Sequence, residues 1–570
     1  MRPDSETREY DVVIVGGGPV GLLLAYQLKK FGVTVCVLEQ HEKETQDAYG
    51  RAIALFPRTS EQLDQLDLIE PMLQLGFACR TSVTYKDGKR IIPGRVWTFM
   101  ENIKDTTYDF TLVLRQMYTE AIFREKLESI GAAYCQATEC IDFEIDEAAP
   151  KGSHAVISTF VDKKTQKEFK IKSKYIVGAD GGRSFVRKHA GIPFEGDSSE
   201  DKWIRIDGIV ETDMPLNRSY GAIESKTHGN VLWAPLDHAA TRIGYAYTPE
   251  IAAKYPDGVT QEVAEQEAIN GMKPFNVKFK EVHWWTLYSI GQRIAQTFST
   301  KGRVFLCGDA GHTHSSGAAQ GLNTGIHDAV NLGWKLALQI RGVTKPDILE
   351  TYSTERMTAV QKLINYDKDI SLLMTNKWPS WYQGDPSADP SLVLGEIFEK
   401  SASFNTGLGI SYPENDLNQN HDNISAIAPG SRPPDVELTM PGTEQKTRFQ
   451  RITRNIGKFW VVVFAGDVVS TRMSLLDLQE SLKASKKLLD HQAIGWVTIS
   501  TVVAPSTYEA LGTDPIGATY YDPTTLAHQK FGVPLDQGAI FILRPDGLVG
   551  SAGLIDAKWI EGYFLQILQL

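Results

Sequence analysis

Apolar and polar positions follow three rhythms along this chain. Residues 11–15 (DVVIV) form a short continuous apolar run, the pattern of a strand buried on both faces. A helix-like stretch follows at 22–31, and a second apolar run at 33–38 ends on Glu39. Similar runs at 175–177 and 303–306 each lead into a Gly/Asp turn. Between 200 and 300 the rhythm shifts to period two, as in WIRIDGIV and TRIGYAY, which predicts an antiparallel sheet with one buried face. Helical periodicity returns at 323–340. Residues 378–396 and 411–438 are rich in Pro, Asn, Asp and Ser and read as linkers or surface excursions. Beyond them a second α/β pattern predicts strands at 459–464, 496–503 and 539–543, a helix at 474–489, a turn at 545–547 and a closing helix.

At 570 residues the chain is too long for one core. The pattern divides it into an α/β unit in two parts (1–195 and 296–375), an inserted antiparallel sheet (196–295), a linker or helical excursion (376–430) and a C-terminal domain (431–570).

Between the first run and the first helix lie Gly16, Gly18 and Gly21, spaced G-x-G-x-x-G. Gly16 makes the tight turn, Gly18 lets a pyrophosphate approach the backbone, and Gly21 lets helix and strand pack closely. The helix N-terminus offers orphan N–H groups and partial positive charge to the phosphates. Glu39, ending the second strand, is placed to accept ribose hydroxyls. Glycines alone also make ordinary turns; strand, glycines, helix, strand and acid in this order read as a dinucleotide site. The later segments YIVGADGGRSFVR (175–187) and RVFLCGDAGH (303–312) put an acid beside glycine at a strand end, where ligands bind in α/β sheets.

Composition narrows the picture. Apolar residues make up 42% and charged residues 23%, ordinary for a globular protein. The net charge of -11 argues against a nucleic-acid partner. No stretch has the apolar length of a membrane span, and the first ten residues lack a secretory pattern. The five cysteines, Cys36, Cys79, Cys135, Cys140 and Cys307, include no C-x-x-C, which fits a reducing, cytoplasmic setting and argues against dithiol chemistry. Cys307, His312 and His314 are not read as a metal site, because Cys307 ends an apolar strand and points into a core.

Taken together, the three glycine segments resemble the single-component FAD-dependent aromatic hydroxylases, in their phenol 2-monooxygenase-like branch. The resemblance covers the whole chain. It implies a Rossmann-like FAD-binding domain, an inserted antiparallel substrate sheet and a C-terminal thioredoxin-like domain. That last domain would be structural or serve dimer contact, since no cysteine lies beyond 307. It implies FAD, NADPH or NADH, and O2, a phenolic substrate attacking a flavin C4a-hydroperoxide, and a homodimer. Gly16, Gly18, Gly21, Glu39 and Gln40 match the ADP-binding segment. Asp180 and Arg183 match a D-G-x-R-S motif linked to FAD and NAD(P)H. Gly308 and Asp309 match a G-D motif whose Asp holds the ribityl chain. Arg51, Arg115 and Gln116 fall at cofactor-contacting positions. Gly321, Leu322 and Asn323 open a helix aimed at the flavin pyrimidine edge, where its dipole favours the charge of reduced flavin.

The chain departs from the phenol hydroxylase pattern at four places: Ile53 for an Asp, Leu236 for an Arg, Gly244 for a Tyr and Ser316 for a Pro. The ring substrate is therefore expected to be larger or more substituted than phenol. Arg205 and Tyr245 are the candidate catalytic residues, with a solvated charge and a core aromatic as the plain readings. Epoxidation, Baeyer–Villiger or decarboxylating oxidation on the same scaffold, and a non-catalytic flavin-binding module, stay open.

Overall fold

The computed structural model describes residues 8–43, 52–150, 152–315, 317–385, 387–422, 424–484 and 486–569. Strand Arg8–Val15 is the centre of the first sheet. It pairs in parallel with Val35–Leu38 on one side and Lys167–Gly178 on the other. Ala133–Cys135 and Val304–Leu306 extend the two sides, also in parallel. The connection from the first strand leads to Val35–Leu38 on one side and that from Lys167–Gly178 leads to Val304–Leu306 on the other, and the glycine turn after Val15 sits at that switch point. Helix Pro19–Lys30 starts with proline in its first turn, where no N–H is needed. It packs on helix Gly321–Ile340, which is buried continuously from Leu322 to Leu338. A helix buried all round must partner its polar groups, and Asp328 and Lys335 are both buried there.

The second sheet runs His312–Thr313, Val277–Ala295, Phe194–Thr212, Thr241–Tyr247, Gly229–Pro235, Tyr220–Ser225, Ser82–Lys86 and Lys89–Ile91. It thus draws strands from outside 196–295. The pairing of Tyr220–Ser225 with Ser82–Lys86 is parallel. Both faces are buried, where period two predicted one. Ile204, Ile206, Val231, Trp233 and Ile243 form a core under helix Gln261–Gly271. Trp203, Tyr220, Leu232 and Ala246 face the nucleotide unit with Phe56, Trp97, Phe99 and Phe398.

Phe398 comes from the 376–430 segment, expected as a linker or helical excursion. Helix Pro390–Lys400 has Pro at its first position and Asp389 as its cap, whose Oδ1 accepts from the Ser391 amide at 3.0 Å. Asp-Pro here starts a helix, as it can when Pro takes the first helical turn. Leu394 and Phe398 then bury, with Phe398 5.3 Å from the Trp97 ring.

The C-terminal sheet sets Phe459–Phe464, Ile494–Ser500 and Ala518–Tyr521 in parallel, with Ala539–Leu543 and Val549–Gly553 antiparallel on the other edge. The predicted 474–489 helix starts earlier, at Val468. Trp334 of the nucleotide unit meets Phe459 edge-on at 5.6 Å, and Phe459 meets Phe564 at 5.7 Å. One apolar cluster therefore runs through both units. No helix among the described residues is long and apolar enough to cross a membrane.

Candidate active site

The three glycines do different work. Gly16 has φ +111°, and a Cβ there would lie 2.3 Å from the Ala179 carbonyl oxygen. A Cβ on Gly21 would lie 2.1 Å from the Gly16 oxygen. These two close the turn against its own neighbours. A Cβ on Gly18 would meet nothing within 4 Å, so this backbone is open to a ligand at the N-terminus of helix Pro19–Lys30. Glu39 is buried; its Oε2 accepts from the Gly17 amide at 2.7 Å and its Oε1 from the His41 amide at 2.9 Å. The remaining lone pairs are available to ribose hydroxyls. Gln40 is exposed beside it. Arg51 lies outside the described residues.

Asp180 Oδ2 accepts from the Phe185 and Val186 amides at 2.7 and 3.1 Å. Its Oδ1 is buried without a hydrogen-bond partner, and burial pushes its carboxyl up. Arg183 is exposed. Arg187 donates to the Ala310 carbonyl at 2.7 Å and the Gly182 carbonyl at 3.0 Å, with its guanidinium over Phe194. It thereby ties the D-G-x-R-S turn to the G-D turn. Asp309 projects from that turn as an exposed carboxylate.

A fully buried acid that the motifs did not reveal holds the G-D turn in place. Asp328 Oδ2 accepts from the Gly308 amide and from His312 Nε2, each at 2.8 Å. Its Oδ1 accepts from Arg356 Nε at 2.6 Å. Burial alone would raise its carboxyl, but Arg356 and His312 outweigh it and hold it at about 2. A second such acid is Asp367. It accepts from the Ser315 amide at 2.7 Å, the Ser315 hydroxyl at 2.5 Å and Gln292 at 2.8 Å. The signal for Asp328 was an acid inside a continuously buried helix; Asp367, in an amphipathic helix, carried none. Ser316 lies outside the described residues. Next along, the N-terminus of helix Gly321–Ile340 is fastened by Asn323, which accepts from the Phe56 amide and donates to the Ala54 carbonyl, each at 2.9 Å. Leu322 is buried in the shared core, and Gly321 borders His314.

Two expected cofactor contacts, Arg115 and Gln116, also have partners within the protein. Arg115 donates to Asp237 from Nε at 2.8 Å and Nη2 at 2.6 Å, which clamps the inserted sheet to the nucleotide unit. Gln116 donates to Glu120 at 2.8 Å, and Glu120 pairs with Lys43 at 3.2 Å.

On the inserted sheet, Arg205 and Tyr245 lie on opposite faces. Arg205 is buried on the aromatic face, its guanidinium 5.1 Å from the Trp203 ring and 5.9 Å from Tyr288. It lies across Gly244, where a Cβ would come within 2.6 Å of its Cδ and Nη1. Absence of a side chain at 244 thus makes room for Arg205. Tyr245 is corrected to a core residue, because side chains alternate along a strand. Its hydroxyl donates to the Ala264 carbonyl at 2.9 Å in the helix-covered core. Ile53 and Leu236 are buried in the aromatic cluster. A buried ion pair, Arg242 to Asp207 at 2.6 Å, shares that face.

A cavity of about 1240 Å³ does not overlie the glycines. It opens between the 90–105 segment, helix Pro390–Lys400 and Lys530, and touches the aromatic cluster at Phe99 and Ala402. Glycine geometry, rather than cavity volume, locates the nucleotide path. Among the described residues, no group of three or more His, Cys, Asp or Glu could hold a metal ion. Cys307 is buried against the Tyr352 hydroxyl at 3.1 Å.

The cradle at Gly18, the buried unpaired Asp180 oxygen and the exposed Asp309 fit a dinucleotide running from the first strand to the G-D turn. Residues 9–367 match the family model described as an FAD binding domain. The chain is 26% identical to a phenol 2-monooxygenase of Aspergillus fumigatus, over 96% of this chain and 94% of that protein. It is 28% identical to a 3-hydroxybenzoate 4-monooxygenase of Comamonas testosteroni, over 98% and 94%. It superimposes on the flavin-dependent monooxygenase PieE in complex with FAD and substrate, with TM-score 0.73, 20% identity and coverage of 98% and 99%. The chain therefore belongs to the FAD binding domain family, as an FAD-binding enzyme whose relatives are FAD-dependent monooxygenases.

Proposed function

We propose that this enzyme uses NAD(P)H and O2 to hydroxylate a phenolic aromatic ring, substituted or polycyclic. The carrying observation is the aromatic face of the inserted sheet, Trp203, Tyr220, Leu232 and Tyr288, closed by Phe56 and Trp97 beside the segment that Asn323 fastens. Bound FAD supplies the redox and oxygen chemistry; the protein supplies orientation, dryness and charge. The Gly16–Gly18 backbone would hold the pyrophosphate, Glu39 the ribose and Asp309 the ribityl chain. The ring side excludes water. The Arg205 guanidinium favours an ionised phenol there, since a nearby opposite charge stabilises the charged form.

Ile53 and Leu236, apolar and buried in the aromatic cluster, support the larger substrate, while the space at Gly244 is taken by Arg205. A site lacking polar groups at these positions loses little by accepting a bulky ring and much of its grip on a small phenol. The parallel–antiparallel order of the C-terminal sheet supports a thioredoxin-like reading of 431–570, without redox cysteines.

The test compares phenol, resorcinol and a bicyclic phenol by kcat/KM for oxygenated product, with NADPH and with NADH. A product 16 mass units heavier with a rearomatised ring, and the bicyclic phenol preferred, is expected. Simple phenol as the best, tightly coupled substrate would overturn the pocket argument. A non-aromatised product would favour epoxidation or Baeyer–Villiger chemistry. No substrate-stimulated NAD(P)H oxidation would leave a binding module.

A further inference from the structure

Helix Glu350–Met374 carries two adjacent buried charges that face different parts of the molecule. Glu355 is gripped by the C-terminal sheet. Arg544 donates to Glu355 Oε1 at 2.6 Å and Oε2 at 3.0 Å, and to Asp546 at 2.7 Å. Lys335 and Asn331 add donors at 2.8 Å each. Arg356, the next residue, donates to Asp328, which holds the Gly308 amide. Tyr412 joins the two. Its hydroxyl accepts from Arg356 Nη1 at 2.9 Å, and its ring lies between the Arg356 and Arg544 guanidiniums, at 5.8 and 5.4 Å. All of these side chains are buried.

We propose that Arg544 and Tyr412 are positioning residues for the FAD site: through Arg356 and Asp328 they set the place of the G-D turn, so the C-terminal domain, acting with the 376–430 segment, tunes cofactor affinity without touching the cofactor. The physical ground is that buried charges joined by hydrogen bonds and by two guanidiniums against one tyrosine ring cannot move independently. Displacing one leaves its neighbour's charge uncompensated, so the network shifts as a unit. Asp328 is its last member before the cofactor-binding backbone.

This rests on FAD binding at the G-D turn, and the test separates the two. FAD dissociation constants, the visible circular dichroism of bound flavin and apo-protein melting temperatures are measured on the full-length chain. Tyr412→Phe removes one hydroxyl and keeps the ring. It should weaken FAD about three- to tenfold, the loss of one net hydrogen bond, and alter the flavin dichroism. Arg544→Lys, which keeps charge but loses the two-pronged grip, should bind FAD more tightly than Arg544→Met. Tyr412→Phe with Asp328→Asn should be non-additive for FAD affinity. The control is His528→Asn. His528 is buried in the C-terminal domain, bonded to Asp522 and the Gly466 amide and outside this network. Its variant should lower the melting temperature and leave FAD affinity within about twofold. Wild-type affinity and dichroism in Tyr412→Phe and Arg544→Lys, or an equal loss of affinity in His528→Asn, would overturn the proposal. Failure of the wild-type protein to bind FAD would instead sink the cofactor assignment.

Discussion

Three glycines two to five positions apart have opposite mutational meaning. Gly16 and Gly21 face backbone oxygens of the fold itself, at 2.3 and 2.1 Å from an added Cβ. Gly18 faces open space. Gly18→Val should therefore give a folded protein that has lost FAD, while Gly21→Val should fail to fold; cofactor content and melting temperature on the purified variants check both. A colourless but well-folded Gly21→Val would contradict the assignment. Asp309 is a parallel case. Its carboxylate is exposed, so Asp309→Ala should leave apo stability within about 0.5 kcal/mol. It should still weaken FAD by about one to two decades, the value of a hydrogen bond to a charged group. Fluorescence titration showing wild-type affinity would remove Asp309 from the site. Gly244 carries the lesson for the ring pocket. From sequence it is a missing tyrosine; in the structure it is the floor under Arg205. No motif contains that information, because it depends on which residue lies opposite across two strands.

The glycine turns were legible in the sequence because each is built within a few residues of one strand end. The acids that hold those turns were not. Asp328 and Asp367 act across 20 and 52 residues, through Gly308 and Ser315. The only trace of Asp328 was charge inside a buried helical pattern, and Asp367, on an amphipathic helix, left none. Helix Pro390–Lys400 was hidden for a related reason: Pro, Asp and Ser mark both loops and helix starts, and burial of Phe398 against Trp97 decides between them. The inserted sheet was read as one-sided because its second face carries Gly and Arg, buried against the nucleotide unit. Asp328 also predicts a pH dependence. Its folded carboxyl sits near 2, below its ordinary 3.8. Its contribution is thus complete above about pH 4 and is lost as pH falls through 2. The shift corresponds to about 2 kcal/mol. In denaturant titrations at fixed pH, Asp328→Asn should be less stable than wild type at pH 5, and the gap should narrow between pH 4 and 2. A constant gap would mean that the carboxylate charge is not what stabilises the turn.

The chain reads as separable domains, yet the folded molecule is joined through its core. Trp334 of the nucleotide unit packs on Phe459 of the C-terminal sheet and donates to Asp546 at 3.1 Å. Arg432 pairs with Glu61 at 2.5 Å, both buried, and Arg58 donates to the Asp546 carbonyl at 2.7 Å. Cutting at residue 430 would uncover Trp334, take Arg432 from Glu61 and leave it Arg58 alone, and take Arg544 from Glu355. Breaking a buried ion pair by removing one partner costs about 3–5 kcal/mol, and exposing an aromatic core face costs more. A typical domain has only about 5–15 kcal/mol in hand. Residues 1–430 alone should therefore be insoluble or cofactor-free, even though the whole glycine apparatus lies within them. Co-expression of 431–570 should restore soluble, yellow protein, because the missing groups are supplied by packing and not by chemistry on the flavin. Soluble 1–430 that holds FAD and is reduced by NAD(P)H at the full-length rate would show that the shared core is dispensable and that the two units are independent after all.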